Sequence, residues 1–123
     1  MLGTVDYMSP EQALGHTNRV DHRTDIYSLG ITLYELLTLR KAFDADDRQQ
    51  FLRQIENEEP TGLRRVNSAV PVDLETICLK CMQKEPGSRY ASAQHLAEDL
   101  ERWLDGDPIQ ATPPTLLYRF TKF

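Results

Sequence analysis

The sequence predicts an all-α protein, and three observations predict it. The stretch from Asp25 to Leu39 is long, tolerant of helix and apolar on nearly every side. Leu74, Ile77, Cys78, Cys81 and Met82 recur at i, i+3, i+4, i+7 and i+8, the spacing of one helical face. No segment carries a clear strand alternation, and no internal repeat is present.

Residues 1–8 read as extended. Ser9 then has the chemistry of an N-cap, Pro10 suits the first helical position and Gln12 completes a capping box, so a short helix starts here and Gly15 ends it. The polar run from His16 to Arg23 reads as a loop, with Thr24 or Asp25 capping the next helix. In that helix Ile26, Leu29, Leu33, Leu36 and Leu37 make one face, while Tyr27, Ile31, Tyr34 and Leu39 cover much of the rest. A helix apolar nearly all round belongs in the middle of a fold. Ser28, Thr32 and Glu35 interrupt it, and it is too short for a membrane span. Gly30 within it costs about 1 kcal/mol against Ala, which points to a neighbour approaching closely.

Asp44 is a plausible cap for a helix through about Asn57, with Phe51, Leu52 and Ile55 as a narrow apolar stripe. Pro60 and Gly62 open a loop expected to reach Pro71, with Arg64 and Arg65 solvated in it. Asp73 and Glu75 suit the positive end of the next helix. Pro86 and Gly87 enforce a turn. Ser92 caps a last helix in which Leu96, Leu100, Trp103 and Leu104 share a face, and Gly106 stops it. Pro108, Pro113 and Pro114 make the remainder of the chain non-helical.

The 123 residues amount to one domain or a piece of one. Hydrophobic content of 40% and charge of 27% describe a globular chain, not a disordered one. A net charge of −5 argues against nucleic acid as partner, because phosphate binding rests on excess Lys and Arg. No apolar run matches a membrane span or a signal peptide, and two cysteines make no disulfide framework, so a cytoplasmic, reduced setting is expected. Cys78 and Cys81 form a C-x-x-C, but His16, His22 and His95 supply no second pair at metal spacing, and no βαβ context suggests redox chemistry. On an apolar helix face they are expected to pack, and no metal site is expected. Tyr118, Arg119, Phe120 and Phe123 form a basic, aromatic end, read as a frayed tail or as a contact with a membrane surface or with the continuation of the parent protein.

Three ordered motifs carry a resemblance. Gly3-Thr4-Val5-Asp6-Tyr7-Met8-Ser9-Pro10-Glu11 is similar to the substrate-reading loop and A-P-E motif of eukaryotic-like Ser/Thr protein kinases, with Ser9 in place of Ala. Asp25-Ile26-Tyr27-Ser28-Leu29-Gly30 resembles the D-x-W-S-x-G opening of that family's central hydrophobic helix, with Tyr27 in place of Trp. Arg89, in Glu85-Pro86-Gly87-Ser88-Arg89-Tyr90, matches the arginine between the last two helices. The resemblance covers about Gly3 to Leu104. More softly, Asp105 to Ala111 looks like the linker after the domain in bacterial receptor-type kinases.

The resemblance implies a partial kinase domain over residues 1–104, helical and without the N-terminal lobe or the catalytic loop, with a Pro-rich linker over 105–123 after it. It implies that Thr4, Val5 and Tyr7 read the protein substrate of the parent kinase, with Thr4 favouring Ser/Thr acceptors. It implies an ion pair of Glu11 with Arg89, structural in role, and an Asp25 that anchors the catalytic loop. The alternative to the pair is two unrelated surface charges, and for Asp25 a helix cap, which can coexist with the anchoring role.

Phosphoryl transfer in this family needs a Gly-rich loop, a Lys–Glu pair, H-R-D…N and D-F-G. No segment of these 123 residues matches any of them. No catalytic residue is therefore expected in this chain, and no cofactor, ATP and Mg²⁺ belonging to the parent kinase. The expected partners are the parent's protein substrate and the rest of the kinase, whose absence would leave one flank of the central helix uncovered. The alternatives are a non-catalytic helical module docking on another chain and an unrelated helical adaptor.

Overall fold

The computed structural model describes residues 7–113. Among the described residues six α-helices occur in order: α1 (Pro10–Ala13), α2 (His22–Thr38), α3 (Arg48–Asn57), α4 (Leu63–Val66), α5 (Val72–Cys81) and α6 (Ala93–Asp105). Short 3-10 turns occupy Thr17–Arg19 and Pro86–Ser88, and no strand occurs among the described residues. No helix among them is long and apolar enough to cross a membrane.

α1 starts as its residues dictate. Gln12 N donates to Ser9 Oγ at 3.2 Å and Ser9 N donates to Gln12 Oε1 at 3.1 Å. α2 begins earlier than expected, because Asp21 rather than Thr24 or Asp25 is its cap. The Asp21 carboxylate accepts from Arg23 N at 2.9 Å, and Thr24 Oγ1 accepts from Asp21 N at 3.3 Å. His22, Arg23 and Thr24 have no apolar period, so only the cap marks them as a first turn. At the far end Leu39 lies outside the helix in a left-handed conformation, φ 58°.

The face of Ile26, Leu29, Leu33, Leu36 and Leu37 is split: Ile26 is buried and Leu33 and Leu37 pack against the core, while Leu29 and Leu36 point outward. Ile26, Tyr27, Gly30, Ile31, Tyr34 and Thr38 are buried, whereas Leu29, Leu36 and Leu39 are 51, 69 and 87% exposed. The side of Tyr27, Ile31 and Tyr34 therefore faces the other helices, and Leu29 and Leu36 face outward. α5 crosses α2 at Gly30. A Cβ added there would lie 2.6 Å from Cys81 Cβ and 2.9 Å from Met82 Cγ, so the glycine is what lets the two helices meet.

Two hydrophobic clusters flank this crossing. One joins Tyr27, Ile31 and Tyr34 to Phe51 and Ile55 of α3, Leu63 of α4 and Cys78 of α5. The other joins Ile26 to Leu74, Ile77 and Cys81 of α5, Tyr90, and Leu96 of α6. α3 is capped by Asp47, not Asp44, through Gln50 N at 2.8 Å. Its C-terminal carbonyls meet Lys84, whose Nζ donates to Ile55 O at 2.8 Å.

The expected loop from Pro60 to Pro71 contains α4. Arg64 is held there, its backbone N–H donating to Glu75 Oε2 at 2.8 Å and its Nε to Val70 O at 3.0 Å. α6 is capped by Ser92 and stopped by Gly106, φ 79°. Leu104, expected on the packed face, is 72% exposed, because helix rotation carries it past Leu96, Leu100 and Trp103.

Candidate functional site

The first turn of α1, the first turn of α2 and the turn before α6 converge on one buried guanidinium. Arg89 Nη1 donates to Glu11 Oε2 at 2.7 Å, and Nη2 donates to Oε1 at 2.8 Å. Both side chains are excluded from solvent, at 0% and 1% exposure. The remaining N–H groups reach backbone carbonyls: Nε to Gln83 at 2.7 Å, Nη1 to Arg23 at 3.0 Å, Nη2 to Lys84 at 3.1 Å. All five donors of the fork are thus satisfied. One face of the guanidinium lies over the Tyr27 ring, 5.0 Å from its centroid.

Thr24 ties this site to the start of α2. Its hydroxyl donates to Glu11 Oε2 at 2.8 Å and accepts from Asp21 N. Burial by itself raises the pKa of the Glu11 carboxyl. The hydrogen bonds from Arg89, its own backbone and Thr24, with the guanidinium charge, outweigh that and hold it below the usual carboxylate range.

Tyr7 lies on the outer side of α2. Its hydroxyl donates to Glu35 Oε2 at 2.6 Å, and its carbonyl accepts from Ser28 Oγ at 2.7 Å. Ser28 and Glu35 stand seven residues apart, two turns along one stripe, so α2 serves as a rail for the segment entering α1. Thr4 and Val5 lie outside the described residues, as does the aromatic end from Tyr118 to Phe123. Asp25 sits exposed in the first turn of α2, without a hydrogen-bond or ion-pair partner among the described residues, one turn before the exposed Leu29.

Cys78 and Cys81 are free and buried. Cys78 Sγ donates to Gly30 O at 3.3 Å. Burial pushes the Cys78 thiol well up and that of Cys81 up to about 12, so neither is a poised nucleophile. Among the described residues no group of three or more His, Cys, Asp or Glu could hold a metal ion.

Sequence reasoning passed over Thr24 as a ligand of Glu11, Glu35 as the partner of Tyr7, and Asp99 altogether. Asp99 carried a signal. It falls inside the Leu96, Leu100, Trp103 stripe, where a carboxylate survives only if fully hydrogen-bonded.

Residues 1–100 match the model of the protein kinase domain. A probable serine/threonine-protein kinase of Streptomyces coelicolor is 41% identical over 112 residues, 91% of this chain and 16% of that protein. Serine/threonine-protein kinase PknB of Mycobacterium leprae is 39% identical over 111 residues, 90% of this chain and 18% of that protein. The twitchin kinase region from C. elegans superposes with a TM-score of 0.70 at 23% identity, covering 80% of this chain and 17% of that one, which speaks to fold alone. The chain spans less than a fifth of the length of each of these proteins.

Proposed function

The chain belongs to the protein kinase domain family, and from that premise we propose that it forms the substrate-side part of the C-terminal lobe of a Ser/Thr kinase. In this reading residues 1–104 are a partial kinase domain and 105–123 a linker. The parent enzyme, with Mg²⁺, transfers the γ-phosphate of ATP to a Ser or Thr hydroxyl of a protein substrate. Thr4, Val5 and Tyr7 read that substrate, Glu11 with Arg89 braces the loop that carries them, and Asp25 awaits the catalytic loop. The setting is cytoplasmic, with a membrane-anchored parent allowed.

The observation that carries this reading is the buried Glu11–Arg89 fork, which brings an A-P-E-like helix onto the turn before the last helix. It is a brace rather than a reaction centre. Without an acceptor for the substrate proton and groups to hold Mg²⁺ and phosphates, neither positioning nor charge stabilisation is supplied. The isolated chain is therefore inactive. Purified protein incubated with radiolabelled ATP, Mg²⁺ and a Ser/Thr-rich acceptor is expected to transfer no label; metal-dependent transfer would overturn the reading. In-frame H-R-D and D-F-G codons upstream of Met1 would support the parent enzyme.

A second reading, a non-catalytic module that docks on another chain, is favoured by one observation. Leu29 and Leu36, two turns apart on the outer side of α2, and Leu39 just past its end are exposed apolar side chains. Sedimentation of the purified chain against L29E/L36E distinguishes it: the unsubstituted chain is expected to associate where the variant stays monomeric. Equal masses at all concentrations would count against docking on a second copy of this chain.

A further inference from the structure

α6 does not end the folded unit. After the left-handed turn at Gly106 the chain doubles back, with Asp107 N donating to Arg102 O at 2.9 Å. A few residues further on it meets a buried carboxylate. Gln110 N donates to Asp99 Oδ1 at 2.8 Å, and Ala111 N donates to Asp99 Oδ2 at 3.1 Å. The same two oxygens accept Arg102 Nη1 at 2.8 Å and the Tyr90 hydroxyl at 2.7 Å. Each oxygen thus takes two donors, and Asp99 is wholly excluded from solvent. Such a carboxylate is costly to bury unless every donor is present, so the chain beyond α6 is part of what makes the site tolerable.

Apolar contacts hold the same segment. Ala111 is buried, and Ile109 packs with it against the cluster of Tyr90, Leu96, Leu100 and Trp103. Tyr90 is the residue next to Arg89, so the hydroxyl that binds Asp99 and the guanidinium that binds Glu11 leave adjacent backbone positions.

We propose that residues 107–111 are a strap latched by Asp99, and that the latched strap steadies Arg89 on Glu11 by way of Tyr90. Asp99 is then a positioning residue for the brace of α1. The inference rests on hydrogen bonding and burial, and holds whatever reaction the parent protein performs. It gives the segment that leaves the domain a mechanical link to the segment entering α1, so a pull on one end is felt at the other.

Hydrogen exchange on the full chain tests it, with Asp99→Asn and Ala111→Pro. Asparagine replaces one carboxylate oxygen by a donor that faces donors. Proline deletes one strap N–H while leaving Asp99, Tyr90 and Arg102 in place, so it carries the test if the first variant fails to fold. The Gln110 amide is expected to exchange at least about tenfold faster in either variant. The amide of His16, which donates to Glu11 O at 2.8 Å, and that of Ala13, which donates to Ser9 O at 2.9 Å, should respond in the same direction, with α3 unchanged. Unaltered exchange at Gln110 would overturn the latch. Faster exchange at Gln110 with His16 and Ala13 unaltered would overturn the link to Glu11, as would an equal rise in every helix including α3.

Discussion

Arg89 grips Glu11 with both terminal nitrogens of its guanidinium, at 2.7 and 2.8 Å, across 78 positions of chain. Breaking a buried pair by removing one partner leaves an uncompensated charge. Arg89→Ala is therefore expected to lower unfolding free energy by about 3–5 kcal/mol. Arg89→Lys should recover little, because three donors on a point charge cannot reach Glu11 and three carbonyls together. Urea denaturation of the three proteins measures both.

Gly30 sets two effects against each other. On helix propensity, Gly30→Ala gains about 1 kcal/mol. At this position the added methyl meets Cys81 Cβ at 2.6 Å, and overpacking a core costs about 1–3 kcal/mol. The clash involves a backbone-anchored Cβ that cannot swing away, so net destabilisation is the expected outcome. A thermal midpoint at or above that of the unsubstituted protein would refute the close crossing of α2 and α5.

Two tyrosines on α2 should respond oppositely to loss of the hydroxyl. Tyr27 Oη is buried without a hydrogen-bond partner among the described residues, and burial pushes its pKa well up. Tyr34 Oη donates to Thr61 O at 2.7 Å. Removing an unsatisfied group relieves a desolvation cost of about 1–3 kcal/mol, whereas removing a partnered one leaves Thr61 O unpaired. Tyr27→Phe is expected to raise the melting temperature and Tyr34→Phe to lower it.

Acid should weaken the fold through two carboxylates. At Glu11 and Asp99 burial acts to raise the pKa, but hydrogen bonds outweigh it and both folded values lie below the ordinary ones. The unfolded chain therefore binds protons first as pH falls. The stability each carboxylate contributes is complete above about pH 5 and is lost as pH drops below the unfolded values near 4 and through the folded ones. Melting measured from pH 7 to pH 3 should show a midpoint steady to about pH 5 and then falling. Asp99→Asn should flatten part of that fall.

Local chemistry was legible wherever a side chain answers to its own neighbours. Ser9 with Gln12, Ser92 and Gly106 act where sequence reasoning put them, because a cap or a left-handed stop involves atoms a few residues apart. The start of α2 was missed because Asp21 caps a turn of polar residues, and α4 because four residues make no period. Which side of α2 is covered was left open for another reason. Apolar residues surround it, so periodicity alone could not choose between the leucine side and the side of Tyr27, Ile31 and Tyr34.

By itself the sequence determined an all-helical chain, the identity of its longer helices, most of their stops, and three motifs whose order marks the kinase family. Tertiary structure alone decided which side of α2 is covered, that Gly30 meets Cys81, and that Asp99 takes the strap. Helix signals are carried by bonds within four residues, and a chain can be read for them. A buried carboxylate's donors come from wherever the fold delivers them, and that depends on every other helix having already found its place.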